Sequence, residues 1–202
     1  DYGDWVTVTV YSGYGGVTVT VYSGSNDVLS GTRPIAGIQF GYDKLRAAGI
    51  EVVQARATTG IDPGARTLST DSGTTLTFDR CVVAPGIDFK WEQIDGYDAA
   101  VAERIPHAWK AGTQTSLLRA QLQAMDDGGT VIVAAPDNPF RCPPGPYERV
   151  SQIAMYLKAH KPASKILLLD HKSGFAKQAA FELAWERLYG YNTADSLIDW
   201  LP

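Results

Sequence analysis

Cysteine, methionine and histidine are scarce in these 202 residues, which hold two Cys, two Met and three His. Two cysteines cannot staple a chain of this length, so a disulfide scaffold is excluded. No Cys/His spacing of the metal-binding kind and no C-x-x-C-H motif occurs, so neither a metal site nor a covalent haem is expected. A basic excess is also missing. The chain has 18 Lys and Arg against 22 Asp and Glu, a net charge of −4, which argues against nucleic acid or an anionic membrane as partner. No apolar run approaches the ~18 to 20 residues of a membrane span, so no span is expected. No charged-then-apolar leader opens the chain, which reads as a mature or truncated product. Neither a serine nucleophile elbow nor a phosphate-binding P-loop is found. What is present is a 45% hydrophobic chain, enough for one large domain or two small ones with real cores.

Residues Val6 to Gly13 read VTVTVYSG, and Val17 to Gly24 read VTVTVYSG again. Strict Val/Thr alternation has the period of a half-buried strand, and the Gly-rich connector between the copies can turn the chain into a β-hairpin. A second reading is that Gly13, Gly15 and Gly16 are similar to the glycine turn of a dinucleotide-binding βαβ unit, where the backbone approaches a pyrophosphate. In this reading the motif is degenerate, because Tyr11 stands where its first glycine belongs and a second β-run follows instead of a helix.

Further on, strands and helices alternate. Tyr42 to Ala48 suits a short helix, Ile50 to Ala55 a strand, and Thr67 to Phe78 a hairpin around Asp71-Ser72-Gly73. Arg80 to Ala84 reads as an apolar strand with Cys81 in the core, followed by Pro85 and Gly86. Leu117, Leu118, Leu122 and Met125 mark a helix face, and Val131 to Ala135 is a run expected of a strand covered on both faces. Val150, Ile153, Ala154 and Leu157 fall at i, i+3, i+4 and i+7, a helix closed by His160-Lys161-Pro162. The strand Ile166 to Leu169 then ends in Asp170, and a last helix follows Ser173. The fold class expected is α/β, with a βαβ unit from Val131 to Asp170 whose strands lie parallel.

The loop Pro136 to Pro146 falls at the carboxyl end of a strand, where α/β sheets place their chemistry. Its five prolines restrict the backbone around Cys142. Pro146 suits a first helical turn, so Cys142 is expected just ahead of a helix N-terminus with Arg141 beside it, both favouring a thiolate. Glu148, in that first turn, is a candidate for proton transfer. The alternative for a lone cysteine is a small buried hydrophobe. Of the histidines, His160 and His171 read as a helix C-cap and a surface residue, and His107 as a candidate ligand contact.

PFRCPPGPYER, together with DRCVVAPG from Asp79 to Gly86, IPHAWKAGTQT from Ile105 to Thr115 and FGYDKLRAAGIEVV from Phe40 to Val53, closely resembles the flavoprotein subunit of flavocytochrome c sulfide dehydrogenase. The resemblance runs from about Ser25 to Pro202. It implies Rossmann-like dinucleotide-binding domains: a partial FAD domain over 1–122, with 1–24 an aberrant repeat, and the start of an NAD-like second domain over 123–202. It implies FAD as cofactor, haem c on a partner c-type cytochrome subunit, sulfide as substrate and a periplasmic location. By resemblance, Cys142 is one partner of a redox disulfide, Glu148 a carboxylate near it, and Pro85 and Gly86 the second FAD-contacting turn; Gly13, Gly15, Gly16 and His107 complete the expected cofactor contacts. The sequence departs from the family in its first βαβ unit, in having no cysteine from Val21 to Gly24 to tether the flavin, and in ending before the second disulfide cysteine. Two other readings stand beside this one: a sulfide:quinone oxidoreductase-like flavoprotein, and a catalytically inert α/β fragment or interaction module.

Overall fold

The computed structural model describes residues 5–12, 17–22, 25–38, 41–52, 57–70, 73–83, 89–110 and 112–202. They fall into two compact units, one drawn from Gly24–Gly37 and Gly96–Pro202, the other from Asp4–Ser23 and Ile38–Asp95.

The second of these units is antiparallel. Strands β1 (Trp5–Ser12) and β2 (Val17–Tyr22) pair from Trp5↔Tyr22 to Val10↔Val17, so the two Val/Thr copies form the arms of a hairpin. The glycines Gly13, Gly15 and Gly16 between the arms lie outside the described residues, as do Pro85 and Gly86. After the short helices α1 (Ser25–Ser30), which belongs to the other unit, and α2 (Asp43–Ala47), strands β3 (Ala57–Asp62), β4 (Thr67–Thr70) and β5 (Thr75–Thr77) form a meander. Of the expected strand over 50–55, residues 50–52 are among those described. Within the described Ile50–Val52 only Glu51 forms a bridge, and the ladder begins at Ala57. Its register is set at the Asp62 turn, where the carboxylate accepts from the Gly64 and Ala65 amides at 2.8 Å each.

Strand β6 (Arg80–Cys81) pairs two residues with β1. Cys81 is only half-buried, and Val82 and Val83 are 54% and 62% exposed. The expectation of a core cysteine in an apolar strand is therefore corrected: two paired residues bury too little of the run to make it core.

The other unit holds α1, α3 (Ala99–Ala102), α4 (Thr113–Ala124), β7 (Thr130–Ala135), α5 (Gly145–His160), β8 (Lys165–Asp170), α6 (Gln178–Tyr189) and β9 (Ile198–Leu201). Helix α4, which contains residues 122 and 123, and strand β7 share this unit. β7, β8 and β9 form a parallel sheet in that order. One face is packed: Ile166, Leu168 and Ile198 are fully buried with Val150, Ile153, Leu157 and Trp185 of α5 and α6. Each such aliphatic side chain contributes about 1.5–3 kcal/mol by leaving water. The apolar stripe at Val150, Ile153, Ala154 and Leu157 is why residues 145–160 fold as this helix, with Pro146 in its first turn and Lys158 and His160 in its last. The register places Ile132, Leu167 and Leu169 on the opposite face, and Ile132 is 63% exposed. The expectation that β7 is covered on both faces is corrected, since α5 and α6 pack on one side only. Strand β9, which extends the expected βαβ unit by a second crossover, was not read from the sequence.

Candidate functional site

The turn after β7 carries Cys142 and leads directly into α5. Cys142 has φ 60°, the left-handed region that non-glycine residues rarely occupy. Its carbonyl accepts from the Gly145 amide at 2.8 Å, which closes the turn. Gly145 is required here: a Cβ would stand 2.8 Å from the ring edge of Trp109. Trp109 in turn meets Phe140 edge-on at 6.1 Å, so residues 107–109 pack across the start of α5.

His107, Glu148 and Cys142 are thus gathered around one helix start. The backbone amide of Trp109 donates to His107 Nδ1 at 2.9 Å. Burial, followed by the charges of Lys110 and Arg149, holds the imidazole below its ordinary pKa and favours the neutral ring. Burial raises the Glu148 carboxyl, with Arg149 opposing. For Cys142 the expected direction is reversed. Burial and then the Glu148 charge push the thiol up, and they outweigh the Gly145 amide, Arg141 and Arg149, which act toward the thiolate. The helix start and Arg141 contribute as expected, but half-burial beside a carboxylate dominates.

Arg149 itself escaped the sequence reading, although it lies in the quoted motif. Its Nη2 donates to the Ala108 carbonyl at 2.8 Å, while its Nη1 is enclosed without a hydrogen-bond partner. Burial lowers its pKa to about 10, so it stays charged at neutral pH.

A second group was also missed. Asp170, at the end of β8, is buried and accepts from Tyr147 Oη at 2.6 Å, Lys172 Nζ at 2.5 Å and Trp200 Nε1 at 3.3 Å. Lys172 Nζ also reaches the Pro136 carbonyl at 2.8 Å. Burial opposes the Asp170 charge, but the bonds from Lys172 and Tyr147 prevail and hold the carboxyl below its ordinary value. Burial and the bond to Asp170 push the Tyr147 phenol well above its ordinary pKa. In dinucleotide-binding units an acidic residue in this position contacts a ribose. Here it ties the Cys142 loop to the loop after β8. The only sequence signal was Asp170 closing an apolar strand.

Between these two loops lies a cavity of about 240 Å³, lined in part by Asn138, Phe140, Pro143, Tyr147, Lys172 and Phe175. Pockets that enclose whole ligands run to about 300–1,000 Å³, so this one does not fit a dinucleotide. Among the described residues no group of three His, Cys, Asp or Glu is placed to hold a metal ion, and no helix is long and apolar enough to cross a membrane. Both cysteines are free.

Residues 115–202 match the family model of the sulfide dehydrogenase (flavocytochrome c) flavoprotein chain, central part. The matched stretch contains Cys142, Glu148, Arg149 and Asp170; His107 and Trp109 precede it. The chain is also similar to a solved structure, the covalent putidaredoxin reductase–putidaredoxin complex, with 18% identity and a TM-score of 0.54. That likeness covers 88% of this chain and 39% of the other, so the chain spans well under half the length of that relative. It shows the fold, an α/β architecture of the Rossmann-like kind.

Proposed function

We propose that the chain is part of an FAD-dependent sulfide dehydrogenase flavoprotein subunit, with Cys142 as the reacting sulfur. The observation that carries this reading is the family match across a stretch whose Cys142 is held in a closed, left-handed turn at the start of α5. In the reaction, hydrosulfide attacks a disulfide formed by Cys142 and a second cysteine. The S–S bond breaks, one sulfur becomes a persulfide and the other leaves as a thiolate, so the disulfide takes up the electron pair and the proton stays on the persulfide. Glu148, its carboxyl raised by burial, is suited to accept that proton afterwards. The second cysteine is not assigned to Cys81, which lies in the other compact unit.

FAD, when bound, supplies a two-electron acceptor that passes electrons singly to haem c on a cytochrome subunit. Its expected contacts Gly13, Gly15, Gly16, Pro85 and Gly86 lie outside the described residues, and the 240 Å³ cavity is too small for it; no step above depends on its geometry. The reading carries with it a periplasmic location and a boundary near residues 122 and 123 between an FAD domain and an NAD-like domain. The test is sulfide-dependent cytochrome c reduction by the protein from its natural source, with its flavin absorbance recorded. The expected result is a flavin spectrum and an activity lost in Cys142→Ser; a colourless protein, or full activity in that variant, contradicts the reading.

A further inference from the structure

Of the charged groups around Cys142, Arg149 has a donor left over. Its Nη2 is committed to the Ala108 carbonyl, and Nη1 is enclosed with no acceptor. Leaving an enclosed, charged donor unmatched is costly, and buried donors are almost always paired. The guanidinium is also held in place. Ala108 is buried at φ 47°, and its neighbour Trp109 packs on Gly145, the residue whose amide closes the Cys142 turn. Arg149 is therefore fixed against the same helix start that carries the sulfur.

The charges facing this sulfur are Glu148 and Arg149 from α5 and Arg141 from the loop. His107, in the segment before α4, faces the guanidinium and also feels the charge of Lys110. Lys172, 5.3 Å above the Phe140 ring, is already engaged by Asp170 and the Pro136 carbonyl. Arg141 is exposed, which leaves Arg149 as the enclosed cation.

We propose that Arg149 is a positioning residue for Cys142: its leftover Nη1 pairs with the sulfur when that sulfur carries negative charge, as thiolate or as persulfide anion. This rests on the reading of Cys142 as the reacting sulfur. A charge-assisted bond from a fixed guanidinium is strong and geometrically specific, and the sulfur, a weak acceptor as a thiol, becomes a strong one only when ionised. That accounts for a donor without a partner beside a neutral thiol. It also gives the anionic sulfur a counter-charge against Glu148, so the site can release a thiolate without first removing the carboxylate.

The test is the pH profile of Cys142 alkylation by iodoacetamide in the full chain, read peptide by peptide with Cys81 as internal reference. Arg149→Gln keeps a donor for Ala108 and removes the charge; it is expected to move the Cys142 midpoint up by about one pH unit, or about tenfold slower alkylation below the midpoint. Arg149→Lys is expected to recover at least half of that shift, and Cys81 to stay unmoved. A merely structural role changes the high-pH plateau and leaves the midpoint in place, which overturns the inference. Should Arg149→Gln fail to fold by circular dichroism, Arg149→Met carries the same expectation, and an Arg149→Lys midpoint one full unit above wild type overturns it as well. Failure of the underlying reading is distinguishable: Cys142→Ser that still oxidises sulfide removes the reaction, whereas an unmoved midpoint removes only the role of Arg149.

Discussion

In the unit built on β7, β8 and β9 the strands are parallel, linked through helices, and pack one face against α5 and α6. In the unit of β1 to β6 the strands are antiparallel, and Val82 and Val83 beside β6 are mostly exposed. The charges differ in the same way. Asp170 and Lys172 form a buried pair at 2.5 Å with 0% and 9% of their side chains exposed, whereas Arg66 and Asp79 sit at 3.9 Å in the other unit with 64% and 78% exposed. The comparison teaches where rigidity is concentrated. A reacting cysteine in a strained turn needs surroundings that over-determine its backbone. The parallel unit supplies them through the α5 core below Cys142 and the Asp170 cluster beside it.

Four substitutions sharpen this contrast. The largest effect is expected for Asp170→Asn, which leaves the buried Lys172 ammonium without its counter-charge and costs about 3–5 kcal/mol by denaturant unfolding. Its counterpart Asp79→Asn is expected to cost under about 1 kcal/mol, and similar losses for the two would break the comparison. Next, Tyr147→Phe removes a hydrogen bond to a buried carboxylate and is expected to cost about 1.5–3 kcal/mol. Asp62→Ala in the antiparallel unit is expected to cost about 1 kcal/mol, less than either change at the Asp170 cluster, because the Gly64 and Ala65 amides turn to water. The pH dependence has a definite sign. The Asp170 carboxyl is held below its unfolded value, so its contribution is fully present above the ordinary carboxylate range and fades as pH falls through the lower, folded pKa. Acid titration of stability is expected to be shallower in Asp170→Asn; an unchanged slope contradicts the assignment.

Much of the parallel unit could be read from the chain, because α5 has an uninterrupted i, i+3, i+4, i+7 stripe and β7 and β8 are apolar runs of strand length. The hairpin of β1 and β2 was equally plain in its Val/Thr alternation. β9 escaped notice because Ile198–Leu201 is four residues with an acidic group inside it, and it becomes a strand only by pairing with β8. β3 was not read because its ladder is fixed by the Asp62 turn and not by an apolar run. At the site, the place of Cys142 before a helix start was legible. The sign of its pKa shift was not, since burial and the approach of Glu148 belong to tertiary structure. The Tyr147–Asp170 bond spans 23 positions, and the enclosure of Arg149 depends on Ala108, 41 positions away. No local pattern encodes either.

The central claim is that Cys142 is the sulfur at which sulfide is oxidised, and mass spectrometry tests it directly. The protein from its natural source, oxidised and then treated briefly with sulfide, is alkylated and digested. The expected result is one added sulfur atom on the peptide containing Cys142, or on the cysteine to which it was joined, and none on the peptide containing Cys81. Sulfide oxidation that proceeds with Cys142 unmodified and never disulfide-bonded would contradict the account.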